Sequence, residues 1–269
     1  VRKSSVLARC VRGTEASFCG LSLVGGRARE GREFVARDLG PEGLARSVVV
    51  VATSDEPALV RLRAASTATR IAEWFRDRGE DVLLAMDSIT RVATAQREVG
   101  LAAGEPPATR GYPPSVFSLL PQLLERAGTA ERGSITGLYT VLVEGDDMND
   151  PIADAARSIL DGHVVLDRRL ATSGHFPSID VLESVSRSVN DITTPDQRAD
   201  ATMLRQLLAA RRDAKDLVEI GAYVAGSNPL VDRALENSAA IDQFLRQPVD
   251  VVADLEQSWA SLHDLAVTA

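Results

Sequence analysis

The amino-acid sequence predicts an α/β protein, a mostly parallel sheet flanked by helices, followed by a small α-helical C-terminal domain. Three observations carry that expectation. Short apolar, β-rich runs alternate with helical patterns through most of the chain. Each run ends in small or acidic residues, as buried parallel strands do where they deliver a loop to one edge. Beyond Pro195 the strands disappear and only helical patterns remain.

Taken in order, the predicted strands are "SFCGLSLVGG" (17–26), "RSVVVVATSD" (46–55), "DVLLAMDS" (81–88) and "GSITGLYTVLVEGDD" (133–147). A helix begins near Asp55-Glu56-Pro57, with Thr53 or Ser54 available as its cap and the proline in its first turn. It places Leu62, Ala65, Ala72 and Phe75 on one face and stops near Gly79. A second helix follows Asp87, and a third runs from Pro114 to about Ala127. Three helical stretches close the chain: 195–221, 228–245 and 249–265. In the last, Val252, Leu255, Trp259 and Leu262 recur at helical spacing, read as core packing with partner docking as the alternative. In such a fold, ligands bind at the carboxyl ends of the strands.

The 269 residues suffice for one large domain, or a core domain with an appendage, and 45% hydrophobic content can fill a sizeable core. A net charge of −8 argues against a nucleic-acid surface. Cys10 and Cys19 match no zinc or redox spacing and read as reduced core residues. His163, His175 and His263 lie too far apart for a metal set, and no Gly-x-Ser-x-Gly elbow occurs. No apolar run reaches membrane-spanning length, so a cytoplasmic location is expected.

Two short motifs point to phosphate chemistry, each weakly by itself. Val1-Arg2-Lys3-Ser4-Ser5 looks like the last part of a phosphate-binding loop leading into a helix. The strand "VLLAMDS" ends in Asp87, a carboxylate placed to orient water on a magnesium ion; any buried strand ending in Asp before a helix is the bland alternative. The acidic Glu144-Gly145-Asp146-Asp147 stretch reads as a solvated loop, with a partner contact as the second reading.

The strongest signal is the Gly- and Pro-rich segment "REVGLAAGEPPATRGYPPSVFSLLPQLLERAG". With "SVVVVATSDEPALVRLRAA", "VEGDDMNDPIADAARSILDGHVVLDR" and "IDVLESVSR" it closely resembles the flagellar and type III secretion export ATPases, relatives of the catalytic and regulatory subunits of rotary ATP synthases. The match runs in order from Val1 to about Gln247, and "TRVATAQREVGLAAGEPPATRGYPPSVF" looks more flagellar than virulence-type.

The resemblance implies a RecA-like P-loop core over residues 1–194, lacking its first strand and the first half of the loop, and a helical C-terminal domain over 195–269. The family's N-terminal β-barrel is expected to be absent, the chain being a fragment or carrying a misplaced start. ATP and Mg²⁺ are the implied cofactors. Lys3 matches the phosphate-binding lysine and Ser4 the magnesium-binding hydroxyl, with Ser5 beside them in the nucleotide set. Asp87 matches the Walker B aspartate, Arg187 the arginine that reaches a neighbouring subunit's nucleotide, and Phe176 an aromatic near adenine. Each has the alternative of a surface cation or core aromatic.

Two departures stand out. The family reads Gly-Glu-Arg-Gly-Arg-Glu where Gly25-Gly26-Arg27-Ala28-Arg29-Glu30 stands, so Gly26 occupies the position of the catalytic glutamate, next to Arg27 of the catalytic set. A glycine can neither orient nor deprotonate water. Arg2 stands where the loop's last glycine belongs. The main expectation is therefore an ATPase subunit energising protein export from a homo-oligomeric, hexameric ring. Stalk and regulator proteins and chaperone–substrate complexes would be its partners, with peripheral contact at a membrane export gate. The alternative is a non-catalytic or vestigial assembly subunit. A RecA-like nucleic-acid motor is a third class, and no nucleic-acid partner is expected.

Overall fold

A computed structural model describes residues 3–143, 145, 147, 149–248, 251 and 253–268, except the Asp38 side chain. Arg2, Glu144, Asp146 and Val252, singled out from the sequence, lie outside these. The chain divides into two compact units, Arg2–Leu160 and Asp161–Ala269.

The first unit opens with α1 (Lys3–Gly13), β1 (Phe18–Gly26), α2 (Ala28–Glu33), a π-helical turn (Phe34–Leu39), α3 (Gly40–Ala45) and β2 (Ser47–Thr53). It continues with α4 (Ala58–Arg76), β3 (Asp81–Asp87), α5 (Ile89–Ala102), α6 (Pro114–Leu124), β4 (Gly128–Thr129), β5 (Ser134–Tyr139) and α7 (Pro151–Ile159). The sheet order is β2-β1-β3-β5-β4, parallel except for the short antiparallel edge strand β4. In β3, Val82 and Leu84 pack with Phe18, Ala68, Ala72 and Ile135, while Leu83 and Ala85 pack with Leu7, Val11, Cys19 and Leu21 on the other face. Burial on both faces is why this strand reads as an unbroken apolar run.

Three expectations need correction. The fourth run leaves the sheet at Tyr139 instead of continuing to 147. Its neighbour β3 hands over to α5 at Asp87, so Thr140 bonds the turn instead: its N–H donates to Met86 O (3.0 Å), and its carbonyl accepts from Ile89 N (2.9 Å). Next, neither Thr53 nor Ser54 caps α4; the helix starts at Ala58 with Pro57 as cap and no side-chain hydrogen bond. Instead the preceding turn is closed by Glu56 N donating to Thr53 O (3.2 Å) and held by Arg61 Nε donating to Glu56 O (3.0 Å). The third concerns the last helix, described below.

The open C-terminal end of α1 is closed by one side chain. Arg46 donates to the carbonyls of Val11 (2.7 Å), Arg12 (3.2 Å), Thr14 (3.0 Å) and Ala16 (3.4 Å). Val11 and Arg12 belong to the last turn of α1, whose carbonyls have no further turn to bond, Thr14 and Ala16 follow it, and a cation suits the negative end of the helix dipole.

The second unit holds an antiparallel hairpin, β6 (Gly162–Leu166) and β7 (Ile179–Ser186), with α8 (Arg168–Thr172) between them, then α9 (Val189–Ile192). Four helices follow: α10 (Pro195–Glu219), α11 (Pro229–Glu236), α12 (Ser238–Leu245) and α13 (Leu255–Thr268). A reciprocal capping box of Thr194 and Gln197 starts α10, with proline in its first turn. Leu204, Leu207, Ala234, Ile241, Leu262 and Leu265 form the core, and Trp259 packs against it. The last helix begins only at Leu255, which is exposed, because Asp254 accepts from Gln257 N (2.9 Å) and fixes the start there. The apolar stripe thus reduces to Trp259, Leu262 and Leu265.

Arg46→Ala is expected to lower stability by about 2 kcal/mol in urea unfolding, the cost of several lost charge-assisted hydrogen bonds. Arg46→Lys should recover less than half, because a lysine cannot span the same carbonyls.

Candidate functional site

The carboxyl ends of β1, β2 and β3 and the N-terminal end of α1 converge on a cavity of about 280 Å³. Lys3 and Ser4 line it from the first turn of α1, Gly26 and Thr53 from the strand ends, and Asp87 and Ser88 from the tip of β3. Arg27 and Glu30 of the α2 region and Arg91 of α5 also line it. Of the residues selected from sequence, Lys3, Ser4, Gly26, Arg27 and Asp87 therefore share one cavity, while Ser5 on α1 is half-buried and does not line it.

At the centre Lys3 forms a direct ion pair with Asp87, both side chains being mostly buried. The same Asp87 oxygen accepts from Thr140 Oγ1 at 2.7 Å, so the point where the fourth run leaves the sheet also orients the carboxylate. The Asp87–Ser88 peptide is cis. The Ser88 hydroxyl is buried without a hydrogen-bond partner among the described residues. Beside the cavity, a hydrogen bond from the Thr53 hydroxyl holds the exposed Asp55 carboxyl below the usual carboxylate range.

Arg91 was not selected from the sequence, because an arginine in a helix ordinarily reads as solvated surface. Its signal is its spacing, one helical turn after the strand-end Asp87, which returns it to the strand tip. With Lys3, Arg27 and Arg91 against Asp87 and Glu30, the cavity is lined by three cations and two carboxylates. The positive end of the α1 dipole adds to that balance. This is an environment for a phosphate ester.

The glycine pair at the end of β1 is asymmetric. Gly25 sits at φ +66° at a break in the parallel register between Val24 and Gly26, and a Cβ there would lie 2.8 Å from the Arg91 Cβ. Both the backbone and the close approach require glycine. A Cβ on Gly26 meets no heavy atom within 4 Å, and its φ carries no strain. Gly26, the position that the resemblance assigns to a catalytic glutamate, is thus a glycine for which the fold has no need.

The other two selected residues lie in the second unit. Phe176 is exposed, follows buried His175 and precedes a cis proline, and its carbonyl accepts from Gln247 N at 2.9 Å. Exposed Arg187 follows β7, its N–H donating to Asp161 O at 2.7 Å. This unit also carries a wider groove of about 680 Å³ between α10 and α11. It is lined mainly by alanines, Leu217, Tyr223 and Val224, with Asp213 its one charged residue, which does not suit a polyphosphate.

The nucleotide-binding domain model of the ATP synthase alpha/beta family matches residues 1–186. The chain belongs to that family. Within it the chain falls among the flagellar and type III secretion export ATPases: the C-terminal domain model of the T3SS EscN ATPase matches residues 193–264. The flagellum-specific ATP synthase of Bacillus subtilis (strain 168) is 56% identical over 265 residues, 98% of this chain and 60% of that protein. That of Pseudomonas aeruginosa PAO1 is 53% identical over 98% of this chain and 59% of its own length. The chain therefore spans about 60% of the curated relatives it matches. Among solved structures, the assembled ATPase EscN from the enteropathogenic E. coli type III secretion system superposes with a TM-score of 0.94. It is 48% identical, the match covering 98% of this chain and 64% of that one. The fold is thus the mostly parallel, RecA-like P-loop core of this family with a helical C-terminal region.

Gly25→Ala should destabilise by at least about 1–2 kcal/mol, the cost of a left-handed conformation for a residue with a Cβ. Gly26→Ala should stay within about 0.5 kcal/mol of the parent, as expected for a substitution that meets no neighbour. Paired thermal and urea unfolding of the two variants checks the contrast.

Proposed function

We propose that this chain is the nucleotide-binding part of an ATPase subunit that energises flagellar or type III protein export by hydrolysing ATP at subunit interfaces of a ring. The observation that carries the reading is the meeting of Lys3, at the first turn of α1, with Asp87, at the tip of β3, in one cavity. Functionally we divide the chain into an ATP-binding core over 1–194 and a C-terminal domain over 195–269, the former including the hairpin that carries Phe176 and Arg187.

The cavity fits a nucleoside triphosphate and a hard cation. It offers lysine and arginine donors and a helix N-terminus to phosphate, and hydroxyl and carboxylate oxygens to magnesium. In this reading Lys3 would serve the phosphates of the nucleotide, and Ser4 and Asp87 would hold Mg²⁺, with Ser5 beside them. Magnesium would supply neutralisation of the charge that develops on the transferring phosphoryl group. Arg27 and Arg91 orient the terminal phosphate. Arg187 serves a neighbouring subunit's nucleotide, replacing water with fixed planar donors, and Phe176 contacts the adenine.

The assembled state of EscN and its complex with the central stalk EscO support a homo-oligomeric ring and a stalk partner for this chain as well, and we take the ring to hold six subunits. Regulators, chaperone–substrate complexes and a membrane export gate complete the proposed partners. Among the described residues no helix is long and apolar enough to cross a membrane. We place the protein in the cytoplasm, at the inner face of the membrane, and the 56% identity to a flagellum-specific relative favours the flagellar system.

A second reading has its own observation. Gly26 leaves open space in the position of the catalytic glutamate, which favours a subunit that binds nucleotide and assembles but turns over slowly. The test is magnesium-dependent ATP hydrolysis by the chain joined to an upstream barrel and complete phosphate loop of a relative, as it stands and with Gly26→Glu. A rise of about 10²–10⁴-fold on adding the glutamate is expected, the usual contribution of a positioned general base. Equal turnover in both would show that another residue positions the water. Binding by neither would count against the nucleotide reading.

A further inference from the structure

Ser88 stands at the cap of α5, directly after the strand-end Asp87. A serine in that position ordinarily turns its hydroxyl back onto an N–H of the first helical turn. This one does not: its side chain makes no cap hydrogen bond, and its backbone is extended (φ −136°, ψ 152°). The Ser88 carbonyl takes the first bonds of the helix instead, accepting from Arg91 N (3.1 Å) and Val92 N (3.2 Å). The hydroxyls around it are committed elsewhere. Thr140 Oγ1 donates to Asp87 (2.7 Å), and Thr90 Oγ1 accepts from Leu142 N (2.8 Å). Ser88 is only 1% exposed, and its hydroxyl has no partner among the described residues. The residue nevertheless lines the cavity that holds Lys3, Asp87 and Arg91.

A buried hydroxyl without a partner weakens the fold, and a ligand oxygen that accepts from it removes that cost. Burial alone does not make a site, as a second such hydroxyl shows. Ser22, in the middle of β1 between Val50 and Met86 of the flanking strands, is also buried and unpartnered among the described residues, but it does not line the cavity.

We propose that the Ser88 hydroxyl donates to the terminal phosphoryl group of the bound nucleotide and so distinguishes a triphosphate from a diphosphate. The proposal rests on the reading of this cavity as a nucleotide site. Ser88 and Arg91 belong to one turn at the start of α5, which therefore offers the cavity a neutral and a charged donor together. Arg91 packs closely against the bend of β1 at Gly25, next to Gly26, the position that the resemblance assigns to the glutamate acting on the attacking water. This turn of α5 thus lies where the terminal phosphate is attacked.

Titration calorimetry of the chain with Mg·ATP and with Mg·ADP reads the ratio of the two affinities, and urea unfolding without nucleotide reads stability. Ser88→Ala should weaken Mg·ATP about tenfold, the scale of a hydrogen bond to a charged group, and leave Mg·ADP within about twofold. Its urea midpoint should equal or exceed the parent's, because alanine removes an unpaired hydroxyl and no bond. Ser88→Cys keeps nearly the same side-chain volume but donates weakly, so it should lose the preference as alanine does. Ser22→Ala should leave the ratio unchanged and its midpoint no lower than the parent's.

A lower urea midpoint in Ser88→Ala would show that the hydroxyl serves the fold. An unchanged ratio, or an equal loss for both nucleotides, would show that it does not meet the terminal phosphate. A ratio kept by cysteine but lost with alanine would assign the effect to packing. Each of these overturns the role of Ser88 alone. A parent that binds neither nucleotide would overturn the nucleotide reading of the cavity, and this role with it.

Discussion

The ion pair between Lys3 and Asp87 is the contact on which the rest of this arrangement depends. It joins the first turn of α1 to the tip of a central strand, and nearly every other feature of the first unit serves to bring those two groups together. Arg46 closes the far end of α1. The apolar alternation of β3 packs against both helical layers. Thr140, where the fourth run turns away from the sheet, donates to the same carboxylate oxygen. A half-buried pair of this kind is costly to break from one side only, since the remaining charge stays desolvated. It is also a poised arrangement, because polyphosphate and a hard cation can compensate both partners at once.

The glycine pair after Val24 shows how fold and chemistry separate at adjacent positions. Gly25 is fixed by backbone geometry and by the closeness of Arg91, so packing explains it. Gly26 has neither constraint, and the open space beside it is room that a longer side chain would fill. Gly26, at the end of a strand lining the cavity, is a residue that the fold does not require, and in the proposed reading it bears on turnover and not on stability.

Much of this was legible in the sequence, for local reasons. A buried parallel strand needs an unbroken apolar run and ends where its loop begins, so β1 to β3 and the acid at the tip of β3 could be read directly. The core face of α4 followed from spacing alone, as Ala65 and Ala72 pack inward. What could not be read depends on partners distant in the chain. Nothing in "TVLVEGDD" marks Tyr139 as the last strand residue; the hand-over of β3 into α5 decides it. Pro57 takes the cap position because the preceding turn closes on itself, which a search for Ser or Thr misses. Arg91 looks like surface until Asp87 and the bend of β1 are placed around it. The β6–β7 hairpin, short and half-buried, carries no periodicity that sets it apart from loop. Lys3, Ser4, Gly26, Arg27 and Asp87 share one cavity, whereas the roles of Arg187 and Phe176 rest on the family resemblance.

The central claim is that the cavity around Lys3 and Asp87 binds the phosphates of a nucleotide. The most direct measurement is calorimetric titration of Mg·ATP into the protein and into Lys3→Met, with unfolding curves to establish that both are folded. The account predicts that Lys3→Met weakens binding by at least about tenfold, as expected when a charged donor to phosphate is lost. Equal affinity in the two folded proteins would contradict it.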